Sequence, residues 1–318
     1  VTPGGLTLRV NLLEQCQLRC GYCRPGLLRR PTPSLERLRG PDYRRLGRAF
    51  AAVGVTRVRF TGGEPLLRDD LSSVLEAFHD AMPGARLAIT TNGQQLDGFL
   101  ARPARQLVSG VTVHVDSLCA ARYRELMGEA DPARALDAAV AARAAGLTTK
   151  LNVVVQRGLN DDELPDFLAW SRRTGIEVRF IELMNTGSAV DFTRRHFVSG
   201  ADILAAIARH EPVLPAGRRS PADPAALYRL RDGTMFGLIA SDTQPFCAAC
   251  TRLRLSPGGT LRGCLYEPTG VPLGAHLRRG ASDEALESIV RLALRAKRSH
   301  HPSQPMARAP FSMADVGG

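Results

Sequence analysis

From Leu6 to about Met184 the chain alternates short β-rich runs with longer amphipathic stretches, and no other feature restricts its fold as much. Strands are expected near Leu6–Leu13, Arg57–Phe60, Arg86–Thr91, Val111–Val115, Thr148–Val155 and Glu177–Leu183. Helical patterns lie between them, among them Asp42–Val53, Leu71–Ala81, Pro132–Ala145 and Asp161–Thr174. Strands separated by helices pair in parallel, because each helix supplies the right-handed crossover that a parallel neighbour needs. Six such units fall short of the eight that close a full barrel. The expected fold is therefore α/β, a partial, open (β/α)6 barrel of the TIM type with its working end at the carboxyl ends of the strands.

Past Met184 the pattern changes. A helix is expected near Ala201–Arg209, then a proline-rich stretch from Pro212 to Pro224, two β-like runs at Ala226–Arg231 and Met235–Ala240, and a helix near Asp283–Arg298. A Pro/Ser/Arg segment from Ser299 to Pro310 precedes the last residues. The boundary is expected near residue 190: residues 1–190 form the barrel, and residues 191–318 form an α+β extension.

The seven cysteines fall into two triplets and a remainder, Cys119, which suits metal ligation better than a disulfide framework. Cys16, Cys20 and Cys23 follow the first strand in CxxxCxxC spacing. A closed structural zinc site takes four ligands, and a four-iron cluster has four irons to satisfy, so three thiolates leave one position open for chemistry. Cys247, Cys250 and Cys264 form the second triplet. The run Leu253–Leu255 and Thr260–Leu261 around Pro257-Gly258-Gly259 reads as a hairpin that returns Cys264 toward the other two. A zinc site completed by His276 is the alternative for this group. Cys119 reads as a small, buried or semi-exposed residue that is not a ligand, and His300 and His301 as solvated.

The net charge of +11 and pI near 10.0 raise the question of nucleic acid, but the basic residues are spread along the chain instead of forming a stripe. Of the 42 lysines and arginines only Lys150 and Lys297 are lysines, a pattern that fits coding bias. No apolar run approaches the ~18 residues of a membrane span, and no secretory signal is visible at the start. A cytoplasmic protein with neither membrane nor nucleic-acid partner is expected.

The first triplet followed by Gly62-Gly63-Glu64-Pro65 resembles the radical S-adenosylmethionine superfamily. The resemblance narrows when Thr90-Thr91-Asn92-Gly93, Asn160-Asp161-Asp162-Glu163, Arg179-Phe180-Ile181-Glu182, Cys247-x-x-Cys250-Thr251-Arg252-Leu253-Arg254-Leu255, Cys264-Leu265 and the terminal Gly317-Gly318 are added. Together, and in this order over essentially the whole chain, these motifs look like the GTP 3',8-cyclase family. That resemblance implies two 4Fe-4S clusters on the two cysteine triplets, with S-adenosyl-L-methionine on the open iron of the first. It further implies reductive cleavage of that cofactor, hydrogen removal from ribose C3' of GTP and attack on guanine C8. The product would be (8S)-3',8-cyclo-7,8-dihydroguanosine 5'-triphosphate, in the first step of molybdenum cofactor (molybdopterin) biosynthesis. The implied partners are GTP, a flavodoxin or ferredoxin as electron donor, a cyclic pyranopterin monophosphate synthase acting downstream, and a second copy in a homodimer.

By the same resemblance Tyr22, Gly62, Gly63, Glu64, Thr91, Asn92, His114 and Met184 lie near S-adenosylmethionine, while Arg252, Arg254, Gly317 and Gly318 act in catalysis, the tail threading into the cavity. Arg24 and His114 depart from the family's usual methionine and serine, and Cys119 replaces a common aspartate. The residues add their own argument. Lys150 and Asn152 share a strand face, Arg179 lies in the next strand, and Arg252 and Arg254 share another face. With Arg9, Arg57 and Arg59 they supply enough cations to line one cavity, and buried cations without partners cost several kcal/mol each. An anion resolves the difficulty, and a triphosphate is the simplest one. Asn160-Asp161-Asp162-Glu163 reads as a helix cap. The alternatives are a divergent nucleotide-modifying paralogue, a radical peptide-maturing enzyme with an auxiliary cluster, and a non-enzymatic, metal-stabilised nucleic-acid binder.

Overall fold

The computed structural model describes residues 5–23, 32–184, 190–267, 269–295 and 297. The barrel portion runs β1 (Leu6–Asn11), α1 (Gly40–Ala52), β2 (Val55–Thr61), α2 (Leu71–Ala81), β3 (Arg86–Thr91), α3 (Leu96–Leu100), β4 (Gly110–His114), α4 (Ala120–Met127), α5 (Pro132–Ala144), β5 (Thr148–Val155), α6 (Leu164–Thr174) and β6 (Glu177–Glu182). It continues through α7 (Val190–His196), α8 (Gly200–Ala208), β7 (Val213–Gly217), β8 (Ala226–Leu230) and β9 (Met235–Ile239). The last elements are β10 (Arg252–Leu255), β11 (Thr260–Arg262), β12 (Val271–Pro272), α9 (Leu273–Arg278) and α10 (Asp283–Arg295).

All six expected barrel strands form, and β1 to β6 pair in parallel in chain order. The whole sheet has twelve strands, ordered β12-β11-β10-β1-β2-β3-β4-β5-β6-β9-β8-β7. The residues after α8 therefore extend both edges of the barrel sheet. Strand β9 adds in parallel to β6, and β10 adds in parallel to β1. Two strands were hidden from the sequence: the two-residue β12, and β7, which lies inside the proline-rich stretch. Strand β7 tolerates Pro215 because it is an edge strand, paired only with β8.

The pleat decides what faces the interior. On β1, Leu8 and Val10 are fully buried in the apolar layer beneath the helices, so Thr7, Arg9 and Asn11 project to the opposite face. On β10, Leu253 and Leu255 pack outward in the same way and Arg252 and Arg254 project inward. The sheet is curled. Arg59 on β2 and Arg179 on β6 are separated by four inter-strand steps, about 19 Å on a flat sheet, yet Arg179 lowers the pKa of Arg59 directly.

Candidate active site

The first thiol group sits on the loop that leaves the carboxyl end of β1, and backbone contacts hold that loop in place. Gly63 N donates to Leu13 O at 2.7 Å, and Glu64 N donates to Gln15 O at 2.8 Å. The resemblance places Gly62 and Gly63 near S-adenosylmethionine. Neither has a positive φ, and the close approach they permit is to the cysteine loop itself. A Cβ on Gly63 would stand 2.2 Å from Gln15 O, and one on Gly62 would stand 2.5 Å from Leu13 O.

Glu64 is fully buried and ties this loop to the end of β3. It accepts from Leu66 N at 3.0 Å, Thr91 Oγ1 at 2.7 Å and Asn92 N at 2.7 Å. Burial pushes its carboxyl up to about 7, against the pull of those donors. Asn92 then reaches Cys16, its Nδ2 lying 3.6 Å from Sγ. On the other side Tyr22 Oη lies 2.5 Å from His114 Nε2 and donates to Asp116 Oδ2 at 2.8 Å. The His114 ring is 3.1 Å from the Asp116 carboxylate. Burial works against a charge on His114, but Asp116 outweighs it and the pKa stays above its ordinary value. Thus Cys16, Tyr22, Gly62, Gly63, Glu64, Thr91, Asn92 and His114 are connected around one loop. Met184 lies two residues beyond β6, its carbonyl accepting from Thr193 Oγ1 at 3.3 Å.

The donor set fits a cationic inorganic centre. Burial pushes the Cys20 thiol well up, and Cys23, Asp116 and Cys16 add to the effect, a state that metal ligation relieves by taking the thiolates. In the second group burial raises Cys247, and Cys250 and Cys264 raise it further. The hairpin forms as the spacing indicates, with Arg254 opposite Arg262 and Leu255 opposite Leu261, which folds Cys264 back beside Cys250. Among the described residues no three Cys, His, Asp or Glu side chains, His276 included, converge on a single-ion site. Thiols that sense one another without meeting at one point suit a cluster in which each binds its own iron.

A group of cations gathers on the interior face of the sheet, along β1 and its neighbours. The register places Arg9 beside Arg59 on one side and beside Arg254 on the other, with Thr7 flanked by Arg57 and Arg252 one pleat earlier. Burial holds Arg9 well below its usual pKa, and Arg254, Arg59 and Arg252 depress it further. Arg59 is pushed down to about 10 by burial and by Arg179. Arg254 also falls to about 10, through burial and Arg252. Lys150 falls to about 8, through burial and Arg179. Arg59 donates to the Thr112 and Thr90 hydroxyls at 2.9 and 3.2 Å, and Arg57 to Thr7 Oγ1 at 3.1 Å. Arg252 stacks 4.5 Å above the Phe246 ring and lies 3.3 Å from Cys250 Sγ.

Arg179 departs from the expectation of an unpartnered cation. Its Nε pairs with Glu177 at 2.7 Å, because residues two apart on a strand share a face, and its Nη1 lies 3.6 Å from Asp223. Its Nη2 remains buried without a partner, as does Oδ1 of the neighbouring Asn152, a donor and an acceptor side by side. The Asn160-Asp161-Asp162-Glu163 run does not cap a helix as expected: Glu163 stands at the N-cap of α6 but its side chain makes no capping bond. Asn160 Nδ2 donates to Asp116 O and Val154 O, while Glu163 accepts from Ser117 Oγ, Leu118 N and Arg122 Nη1. Cys119, expected to be buried or semi-exposed, is exposed at the start of α4, and Gly317, Gly318, Arg24, His300 and His301 lie outside the described residues.

A family model described as the Radical SAM superfamily matches residues 10–171, and one described as Molybdenum Cofactor Synthesis C matches residues 176–303. The "GTP 3',8-cyclase 3" of Mycobacterium bovis is 37% identical over 310 residues, covering 95% of this chain and 81% of the relative. The chain belongs to the GTP 3',8-cyclase family. Other members are the GTP 3',8-cyclases of Edwardsiella ictaluri, at 38% identity over 92% of this chain and 90% of the relative, and Pelotomaculum thermopropionicum, at 36% over 98% and 97%. The crystal structure of Streptococcus suis SuiB shares the fold at 15% identity and a TM-score of 0.59, over 96% of this chain and 75% of SuiB. Among the described residues no helix is long and apolar enough to cross a membrane.

The contacts also bring forward residues that sequence reasoning passed over. Asp116, fully buried, carries the Tyr22 and His114 contacts, and its signal was a carboxylate just past an apolar strand. Phe246 supports Arg252 from a loop with no motif of its own.

Proposed function

We propose that the chain is a GTP 3',8-cyclase that converts GTP to the 3',8-cyclised 7,8-dihydro nucleotide for molybdenum cofactor biosynthesis. The observation that carries this reading is the like-charged group of Arg9, Arg59, Arg252, Arg254 and Lys150 on the interior face of the sheet, together with two three-thiol groups. Cys16, Cys20 and Cys23 hold one 4Fe-4S cluster, and Cys247, Cys250 and Cys264 hold the other. With S-adenosylmethionine bound at the first, these groups supply one-electron chemistry able to abstract hydrogen from carbon.

The protein's part is orientation. Lys150, Arg9, Arg57, Arg59 and Arg254 hold the triphosphate, whose charge offsets their mutual repulsion. Asn152 Oδ1 and Arg179 Nη2, the adjacent unpartnered pair, receive a ligand edge carrying both a donor and an acceptor. Arg252, fixed by Phe246 and Cys250, orients the base end toward the second thiol group, and the Gly317-Gly318 tail completes the cavity. Gly62, Gly63, Glu64, Thr91, Asn92, Tyr22, His114 and Met184 shape the cofactor end. Holding ribose against the abstracting centre removes most of the entropic cost of the encounter. Residues 1–190 carry the radical-generating thiol group and most of the triphosphate contacts, and residues 191–318 add Arg252, Arg254 and the second thiol group. The chain works in the cytoplasm as a homodimer, takes electrons from a flavodoxin or ferredoxin, and passes its product to a cyclic pyranopterin monophosphate synthase.

The test is anaerobic reconstitution with iron and sulfide, followed by incubation with S-adenosylmethionine, a reductant and each nucleoside triphosphate in turn. Formation of 5'-deoxyadenosine and a cyclised product with GTP alone supports the reading. Equal formation without any nucleotide overturns it.

A further inference from the structure

Lys297 stands just past α10, in a chain that uses arginine at nearly every other basic position. Its ammonium donates to Arg252 O at 2.7 Å and to Gly263 O, and it lies 3.9 Å from Cys250 Sγ. One carbonyl belongs to the strand that follows Cys250, and the other belongs to the residue before Cys264. The stem is packed in as well, since a Cβ on Gly263 would meet Lys297 Cβ at 3.3 Å. An ammonium has three donors on one compact nitrogen, and here they face two carbonyls and a sulfur. A planar guanidinium spreads its donors in one plane and does not fit that three-sided seat. Helix α10 itself is tied down on α1, where Arg45 and Arg48 both bridge to Asp283, so Lys297 enters from a fixed direction.

We infer that Lys297 is a positioning residue for the second thiol group, its ammonium locking the Cys250 and Cys264 arms together and placing a fixed positive charge beside Cys250. The inference rests on the reading that Cys247, Cys250 and Cys264 hold an iron-sulfur cluster. It makes retention and potential of that cluster depend on a residue from the far end of the chain, outside both cysteine motifs.

The experiment compares the reconstituted full chain with Lys297→Met and Lys297→Arg. It measures iron per chain, iron release to a chelator, and the midpoint potentials of both clusters by anaerobic titration followed by electron paramagnetic resonance. The expected result is release from the second cluster that is about tenfold faster in Lys297→Met, the scale of one lost charged hydrogen bond. Its potential moves to more negative values while that of the first cluster stays put. Lys297→Arg restores the potential, because it restores the charge, but not the slow release. The thermal midpoint of the cluster-free variants reports whether folding is affected. Unchanged release and an unmoved second potential in Lys297→Met overturn the inference. A wild-type chain that binds only about half the iron of two clusters overturns the reading beneath it, and the inference with it.

Discussion

Replacing Arg59 by methionine is expected to stabilise the empty protein and to weaken its grip on anions. Burial and Arg179 bring the Arg59 pKa from 12.5 to about 10. A drop of that size corresponds to about 3 kcal/mol at 1.36 kcal/mol per unit. A cation whose folded pKa is depressed imposes its full cost at pH 7, and relief comes only above pH 10 as the folded chain gives up the proton. Against this, the substitution forfeits hydrogen bonds to Thr90 and Thr112, worth about 1 kcal/mol each. The difference is a net stabilisation of about 1 kcal/mol, or roughly 2 °C in the melting temperature of a chain of this size. Tripolyphosphate at about a hundred times its Kd stabilises the wild type by about 2.7 kcal/mol, and the variant should need about tenfold more anion for the same gain. Differential scanning fluorimetry of the cluster-free chain with and without tripolyphosphate reads both effects. A variant that melts lower without anion, and gains as much as the wild type with it, refutes the idea of a cation group held in tension until an anion arrives.

Lys150, pushed down to about 8, leads to a pH effect in the same group of cations: the empty protein gains stability as pH rises from 8 to 10.5 while tripolyphosphate affinity falls. Titration calorimetry at pH 7 and 9 on wild type and Lys150→Met checks this, and the variant should lose the pH dependence. Gly63→Ala forces a methyl against Gln15 O, a clash costing about 1–3 kcal/mol. It should strip iron from the first thiol group and spare the second, as read by iron analysis and spectroscopy of the remaining cluster. Cys264→Ala should abolish cyclisation while sparing some cleavage of S-adenosylmethionine, whereas Cys20→Ala should abolish both, as measured by product and 5'-deoxyadenosine in single-turnover assays.

Much of this was legible in the chain. Strand and helix periods gave the six barrel units because each is a local pattern, and the cysteine spacing marked both thiol groups because ligands carried on one short loop must be near in sequence. What escaped depends on distant partners. The addition of β10 to β1 was invisible because a four-residue strand such as Arg252–Leu255 carries no label for its neighbour. Arg179 looked unpaired because Glu177 reads as an ordinary surface carboxylate until the strand folds and Asp223 arrives from a loop. Strand β7 was concealed by its prolines, which an edge position accepts. Nothing local in Gly62-Gly63-Glu64-Pro65 says that the two glycines press against the chain's own Leu13 and Gln15.

The pairing of β10 with β1 fixes a length. Cys250 precedes the strand whose first residue sits opposite Thr7, whereas Cys16 follows the far end of β1, so the two sulfur sets are offset by about one strand, six residues or ~20 Å. Hydrogen bonds between neighbouring backbones set that offset. The sheet thus acts as a ruler, and a slip of one residue in this single pairing would both turn the arginines away from the interior and change the gap their ligand must span.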